Sequence, residues 1–390
     1  MQLSRRQLLV HGAGAGVLAR WLPLLAARAD AARQERVLVV LHLQGGNDAL
    51  NMVVPHRQDR YYVLRPTLAL KRSALHALDD DHGLHPAMND LAALYAEGRL
   101  TVVQAVGHPH PDRSHFRATE IWHTGCPLGP SPGIGWLGRL SDQIWQREPG
   151  SMPALHVGDD EVPLALVGRE YVAPSVSAEL GLQLAELEGL DAARAGLLDA
   201  SDGAGDVAFL RDVARGAYRA VERMERATER PDPVSYPDLP LARRLQRIAR
   251  LLEGGFETRV FFATLGGFDT HARQAAQHAS LLEQLSRSLG AFERHLAAAG
   301  LSERVATVVF SEFGRRAAEN ASRGTDHGAA APVLVLGGPG RGGMRGSAPD
   351  LEALEDGDVP FQADLRSLWS TFEQEWMGLA PSSAFPPLAL

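Results

Sequence analysis

Cys126 is the only thiol in this 390-residue chain. A single cysteine excludes an internal disulfide, and with it thiolate metal clusters and dithiol redox pairs. Any metal must then be held by histidines and carboxylates. Lysine is as scarce: Lys71 stands alone, and arginine carries the rest of the positive charge. The formal net charge of −8 leaves no basic face of the kind that phosphate backbones need, so nucleic acid is not an expected partner. Beyond the N-terminal segment no apolar run is long enough to span a bilayer, so no transmembrane segment is expected in the mature chain. A disorder signature is missing too, because 45% of the residues are hydrophobic, ample for a core. No internal repeat stands out.

What is present begins at the N-terminus with Ser4-Arg5-Arg6-Gln7-Leu8-Leu9, a mostly apolar run from Leu8 to Ala19, and the small-residue stretch Leu24-Leu25-Ala26-Ala27-Arg28-Ala29. Charge, apolar core and an A-x-A-like site in that order make a removable export signal. A buried first helix would be weakened by Gly12, Gly14 and Gly16. The adjacent arginines resemble the twin-arginine signal, which a receptor reads as an address. Residues 1–29 are therefore expected to be recognised by the twin-arginine export machinery. The mature protein, residues 30–390, is expected in the periplasm or secreted.

Downstream, buried-strand patterns alternate with helix patterns. Arg36–Leu43, Leu100–Val106, Arg259–Leu265, Val305–Phe310 and the short Val333–Leu336 read as strands, being continuous β-branched and aliphatic runs. Pro86–Glu97 reads as a helix closed by Gly98. The apolar positions Leu241, Leu245, Ile248 and Leu252 line one face of another helix, and Leu281, Leu285, Leu289, Phe292 and Leu296 line a longer one. Leu365, Leu368, Trp369, Phe372 and Trp376 mark a last amphipathic helix. This alternation implies a single α/β domain, a mostly parallel central sheet between helices. A stretch at about 159–240, rich in Ala, Asp, Glu and Arg, reads as a helix- and loop-rich insertion.

Polar clusters fall just past the expected strands: Asp48; Arg113-Ser114-His115-Phe116-Arg117; Phe268-Asp269-Thr270-His271; Ser311-Glu312-Phe313-Gly314-Arg315; and Gly324-Thr325-Asp326-His327-Gly328. In a parallel sheet the strand carboxyl ends share one rim, where ligands bind. Alone, Asp269 or Asp326 would read as a turn or cap carboxylate. Together, the clusters point to a site. Carboxylates and imidazoles at this density suit a hard or borderline divalent cation: Zn²⁺, Mg²⁺, Mn²⁺ or Ca²⁺. Ser114 precedes an apolar helical run, so it fits either a plain N-cap or a nucleophile. Helix-start amides with Arg113 and Arg117 would suit an anionic phosphoryl or sulfuryl group. His108, His110 and His115 crowd one Pro-rich loop, and His271, Gln274 and His278 are spaced to share a helix face.

The ordered set Leu43–Asn51 (LQGGNDALN), Arg113–Phe116 (RSHF), Gly266–His271 (GGFDTH), Ser311–Arg315 (SEFGR) and Gly324–Gly328 (GTDHG) resembles the exported bacterial family called domain of unknown function 1501. That family in turn resembles the alkaline phosphatase and sulfatase superfamily in fold. The resemblance implies an alkaline phosphatase-like sheet with a metal-assisted site on its rim. By motif order it implies Asp48, Asp269, His271, Glu312, Asp326 and His327 as metal ligands or their supports, and Ser114 as nucleophile. Two departures bear on how many metals the rim holds: one residue separates Asp269 from His271 where three are usual, and Glu312-Phe313 replaces an Asp-His dipeptide. Ser114-His115-Phe116-Arg117 lacks the proline of the formylglycine motif, and Cys126-Pro127-Leu128-Gly129 lacks its arginine, so a formylglycine sulfatase is not expected.

Two functions fit this reading. One is an exported metal-dependent hydrolase acting on a small anionic phosphate or sulfate ester, with Ser114 attacking in line and Arg113 and Arg117 stabilising the transferred group. The other is a non-catalytic cell-envelope protein that keeps the fold and binds a glycan or protein on its rim. Replacing Arg5 and Arg6 together by lysine is expected to leave unprocessed precursor in the cytoplasm. Pulse-chase fractionation checks this, and mature protein exported at the normal rate would remove the twin-arginine assignment.

Overall fold

The computed structural model describes residues 35–126, 128–129, 133–177 and 231–390. The expected export segment and residues 178–230 of the expected insertion lie outside the described residues. No helix among the described residues is long and apolar enough to cross a membrane.

The first expected strand forms as β1 (Val37–Leu43), buried along its whole length. It leads into a short helical turn, α1 (Ala49–Met52), with Asp48 as N-cap. Then come β2 (Val53–Val54), α2 (Asp59–Leu64), β3 (His76–Ala77) and β4 (Gly83–Leu84), with β2 and β3 flanking β4 in a small antiparallel sheet. α3 (Asn89–Ala96) starts later than the expected Pro86. The reason is a turn: His85 accepts the amide of Ala87 on Nδ1 (3.1 Å) and that of Met88 on its carbonyl (2.9 Å). β5 (Leu100–Gly107), α4 (His115–Thr124), α5 (Trp136–Arg147), β6 (Ala154–Val157) and β7 (Ser175–Val176) follow. The second half contains α6 (Pro240–Glu253), β8 (Val260–Leu265), α7 (Gln274–Ala298), β9 (Val305–Phe310) and β10 (Ala331–Gly337). The short strands β11 (Gly343–Arg345) and β12 (Ala363–Asp364) precede α8 (Leu365–Ser370), which runs on as a π-helical turn, Thr371–Trp376.

Among the described residues nine strands make one sheet, in the order β11-β5-β10-β9-β1-β8-β6-β7, with β12 also against β5. The sheet is mixed and mostly parallel: β1 pairs in parallel with β8 and β9, and β6 does so with β8 and β7. β10 runs against both of its neighbours, β9 and β5. Side-chain alternation along β1 divides the interior. Val37, Val39, Leu41 and Leu43 enter one core with the apolar faces of α3, α6 and α7. Leu38 and Val40 enter another with α4, α5 and α8. Two such covered faces make a three-layer α/β/α sandwich, and they are why the strand reads as continuously hydrophobic.

The reversed β10 matters for the rim. The chain leaves β9 at the carboxyl edge and enters β10 at that same edge, so residues 311–330 never leave it. Their two arms pair, with Gly328 donating to the Gly314 carbonyl (2.9 Å) and Arg316 to that of Asp326 (3.0 Å).

Beneath the rim, Asp48 and Arg65 form an ion pair of 2.6 Å in which both side chains are fully buried. Arg65 also donates to the carbonyls of Ala317 (2.9 Å) and Arg316 (3.0 Å) and to Asn51 Oδ1 (2.9 Å). Asp48 accepts from Gln274 Nε2 and from the Asn51 amide as well. Burial alone would raise the Asp48 pKa, but the Arg65 charge and its hydrogen bond outweigh that and hold it below 3.8. Arg65→Met strands a buried carboxylate and is expected to cost about 3–5 kcal/mol in urea unfolding. Because the folded pKa is depressed, the pair's contribution is complete above pH 3.8 and fades as pH falls through the folded value. The wild-type acid limb of stability against pH should therefore be steeper than that of Asp48→Asn.

Candidate metal centre

The rim is drawn together by Arg315, whose side chain is fully buried. Its Nε donates to the Gly46 carbonyl (2.6 Å), its Nη1 to that of Thr325 (2.8 Å), and its Nη2 to those of Gly45 and Phe268 (2.9 Å for Phe268). Nη2 also reaches Asp269 Oδ1 at 2.8 Å. One planar fork thus joins the turns after β1 and β8 to the 311–330 segment, a geometry that an ammonium group cannot reproduce. The turn after β1 must be glycine to allow it. Gly45 and Gly46 have φ of +117° and +75°, and a Cβ on Gly46 would lie 2.1 Å from the Phe313 ring.

Around Asp269 stand three imidazoles, and in each Nδ1 has an oxygen acceptor behind it. His115 Nδ1 faces Glu312 Oε1 at 2.8 Å. His327 Nδ1 faces the Arg113 carbonyl at 2.7 Å, and His271 Nδ1 faces Asp326 Oδ1 at 3.3 Å. Each of these oxygens can only accept, so a neutral ring that donates to it through Nδ1 presents Nε2 as a lone pair. Those Nε2 atoms converge. His327 Nε2 lies 3.1 Å and His271 Nε2 3.0 Å from Asp269 Oδ1, His115 Nε2 lies 3.4 Å from Oδ2, and the two ring nitrogens of His271 and His327 are 2.9 Å apart. The donor atoms of His115, Asp269 and His327 all fall within 4.8 Å of one another. Arg315 supplies one positive charge there, with Nη1 3.5 Å from His271 Nε2 and Nη2 on Asp269, and acceptors packed this closely suit a further cation. Burial would raise the Asp269 pKa, but the hydrogen bond and charge of Arg315 lower it to about 2, so the carboxylate is anionic at neutral pH. The two imidazoles and the carboxylate in mutual reach, with His271 beside them, fit a borderline divalent cation such as zinc.

Glu312, expected as a ligand, lies one layer behind. It is buried, accepting from His115 and the Gly45 amide on Oε1 (2.8 Å each) and from His42 and Ser311 on Oε2 (3.1 and 3.2 Å). Burial opposes its ionisation, yet the hydrogen bonds from His115 and His42 outweigh that and depress its pKa. His42 in turn stacks flat on Phe310, centroids 4.8 Å apart. Asp326 likewise supports His271 and also accepts from Asn320 Nδ2 (3.0 Å). Asp48 is occupied by Arg65 and Gln274 and is not among the converging groups.

Of the expected metal ligands, then, Asp269, His271 and His327 come together, while Asp48, Glu312 and Asp326 act from behind. His115 was not among the expected ligands, although it sits inside the RSHF motif. The missing signal was its buried partner Glu312, distant in sequence. Ser114 is exposed at the start of α4, and its side chain makes no helix-cap hydrogen bond. The plain capping role is therefore not taken. The expected anion clamp is engaged elsewhere: Arg113 holds Asp358 (2.6 Å), and Arg117 holds Glu120 and the carbonyls of Cys126 and Gly129. His271 precedes α7 instead of sharing its face. Gln274 and His278 do share it, with His278 Nε2 2.9 Å from Asn47 Oδ1.

Residues 217–378 match the family described as "Protein of unknown function (DUF1501)". The match takes in the Gly266–His271, Ser311–Arg315 and Gly324–Gly328 motifs. No curated protein matches the chain. Among solved structures it is similar to the lipoteichoic acid synthase LtaP from Listeria monocytogenes, at 8% identity and a TM-score of 0.42, covering 90% of this chain and 74% of that one. The C-terminal periplasmic domain of EcEptC from Escherichia coli, in complex with Zn, gives 12% and 0.43 over 89% and 84%. A protein in the alkaline phosphatase superfamily from Vibrio parahaemolyticus gives 10% and 0.42 over 89% and 67%. Likenesses this remote transfer no residue role.

Proposed function

We propose that this chain is an exported hydrolase of phosphate or sulfate esters that depends on one divalent cation. The observation that carries the reading is the convergence of three imidazole Nε2 atoms on the Asp269 carboxylate. His115, His271 and His327 would hold the cation through Nε2, and Asp269 through its carboxylate. Glu312, Asp326 and the Arg113 carbonyl keep the three rings in the ligating tautomer, the usual task of groups behind a metal ligand. Such a cation supplies charge to offset what builds up on the transferred group. Arg315 keeps Asp269 in place and ionised. The Phe313 ring packs 5.0 Å from His115 and 4.6 Å from His327 between centroids, which walls the imidazoles on that side.

Ser114 supports the ester-hydrolase reading. Its hydroxyl is exposed, free of capping duty and next in the chain to His115. In the reaction its Oγ would bond to phosphorus or sulfur as the bond to the leaving alcohol breaks, and water would then release the group. Arg65 already neutralises Asp48, which favours one cation over two. The commitment of Arg113 to Asp358 and of Arg117 to Glu120 favours the second reading, a non-catalytic envelope protein that binds a glycan or protein on this rim.

Elemental analysis of exported protein is expected to find one divalent ion per chain. Chelation should lower Tm, since ligand at a hundredfold its Kd adds roughly 2.7 kcal/mol. His327→Ala should abolish that sensitivity. A blank analysis, with chelated and untreated samples melting together, would reduce the cluster to polar packing.

Ser114→Ala is expected to cut turnover of aryl phosphate or sulfate esters by orders of magnitude. Because the side chain caps nothing, stability should hold within about 0.5 kcal/mol. Equal turnover in variant and wild type would clear Ser114 of the chemistry. No turnover in either, with metal bound, would select the binding-protein reading.

A further inference from the structure

We propose that a second site, a cavity at the C-terminal end of α4, binds a small oxyanion. The cavity has a volume of about 350 Å³ and is lined by three arginines against one carboxylate, in a chain of net charge −8. That carboxylate, Asp142, is already taken: its oxygens accept the backbone amides of Arg169 (2.8 Å), Glu170 (3.0 Å) and Tyr171 (2.9 Å). Arg366 is likewise settled, held by both oxygens of Asp364 (2.8 and 2.6 Å) and lying 3.7 Å over the Phe385 ring.

Arg139 forms no ion pair; the buried Glu373 carboxylate, which accepts the Ser382 amide at 2.7 Å, acts on it only through space. Its Nη1 and Nη2 donate to neutral acceptors, the carbonyls of Ile134 (3.1 Å) and Thr124 (2.8 Å) and Ser382 Oγ (3.4 Å). Its Nε is buried and bonds to nothing. Among the described residues no carboxylate forms an ion pair with it, nor with the exposed Arg169 side chain. Trp369, 2% exposed, also lines the cavity, and its indole N–H has no acceptor. Partly buried positive charge carries a desolvation cost that Glu373 offsets in part and that an anion with several acceptor oxygens in the cavity would lower further. The volume suits a small molecule rather than a chain segment. Carboxylate, phosphate and sulfate share the required chemistry. No residue of the metal centre takes part, so the site must persist in chelated protein whatever becomes of the proposed hydrolysis.

The test titrates full-length chelated protein with phosphate, sulfate or acetate, with chloride holding ionic strength constant. The readouts are tryptophan fluorescence and the rate at which iodoacetamide alkylates Cys126, the chain's only thiol and a residue of the cavity wall. At least one oxyanion should saturate the fluorescence change and slow alkylation severalfold. Preference for phosphate and sulfate would identify a tetrahedral ligand, and preference for acetate a carboxylate. Arg139→Gln is expected to weaken binding roughly tenfold or more, and Arg169→Ala by a smaller factor. Should Arg139→Gln fail to fold, Arg169→Ala and Trp369→Phe, which deletes the unpaired N–H and keeps a ring, are read by alkylation instead. No saturation above chloride with any of the three anions overturns the proposal. So does saturation that is undiminished in the folded variants.

Discussion

The guanidinium of Arg315 is the contact on which the rim depends. It is a charge taken wholly out of water, which costs several kcal/mol unless every donor is met. Four backbone carbonyls, the Asp269 carboxylate and, at 3.5 Å, His271 Nε2 meet them. Because the acceptors come from three separate turns, the desolvation of one side chain fixes the relative placement of all three. Asp269 is positioned by that fork, and the imidazoles are positioned about Asp269. The glycine pair after β1 follows from the same constraint, since the turn must show two carbonyls to one arginine while Phe313 packs against it.

Arg65 has a parallel role in the layer below. Buried with Asp48, it ties the start of α1 to the 311–330 segment and, through Asp48, to Gln274 at the first turn of α7. The two arginines divide the negative charge of the rim. Asp48 is neutralised within the chain. Asp269 is shared between Arg315 and three imidazole Nε2 atoms, and its side chain is half exposed. This asymmetry distinguishes a carboxylate that holds the fold from one that is open to a cation.

The imidazoles owe their orientation to a supporting layer that no ligand need touch. Glu312 reaches His115 on one oxygen and His42 on the other, and His42 is stacked on Phe310 at the end of β9. The aromatic core on that face, continued by Trp122 and Trp369, therefore sets the direction of a ring on the rim. Packing and site geometry are coupled here through one buried carboxylate.

The amino-acid order by itself determined the strands, the main helices and the placement of the polar clusters. Those follow from local periodicity, and a parallel sheet gathers whatever follows its strands at one edge. That Asp269, His271 and His327 would meet on one rim was legible for that reason. The partners of Asp48, Glu312, His115, Arg113 and Arg117 were not, and only the tertiary structure decided them. A charged side chain is a ligand, a support or a structural ion pair according to which partner shares its burial, and these partners lie far away along the chain: Glu312 with Gly45, 267 residues apart, or Arg113 with Asp358, 245 apart. The reversed direction of β10 was equally unreadable. A short buried run looks the same in either direction, yet that reversal keeps residues 311–330 on the rim and brings His327 back to Asp269.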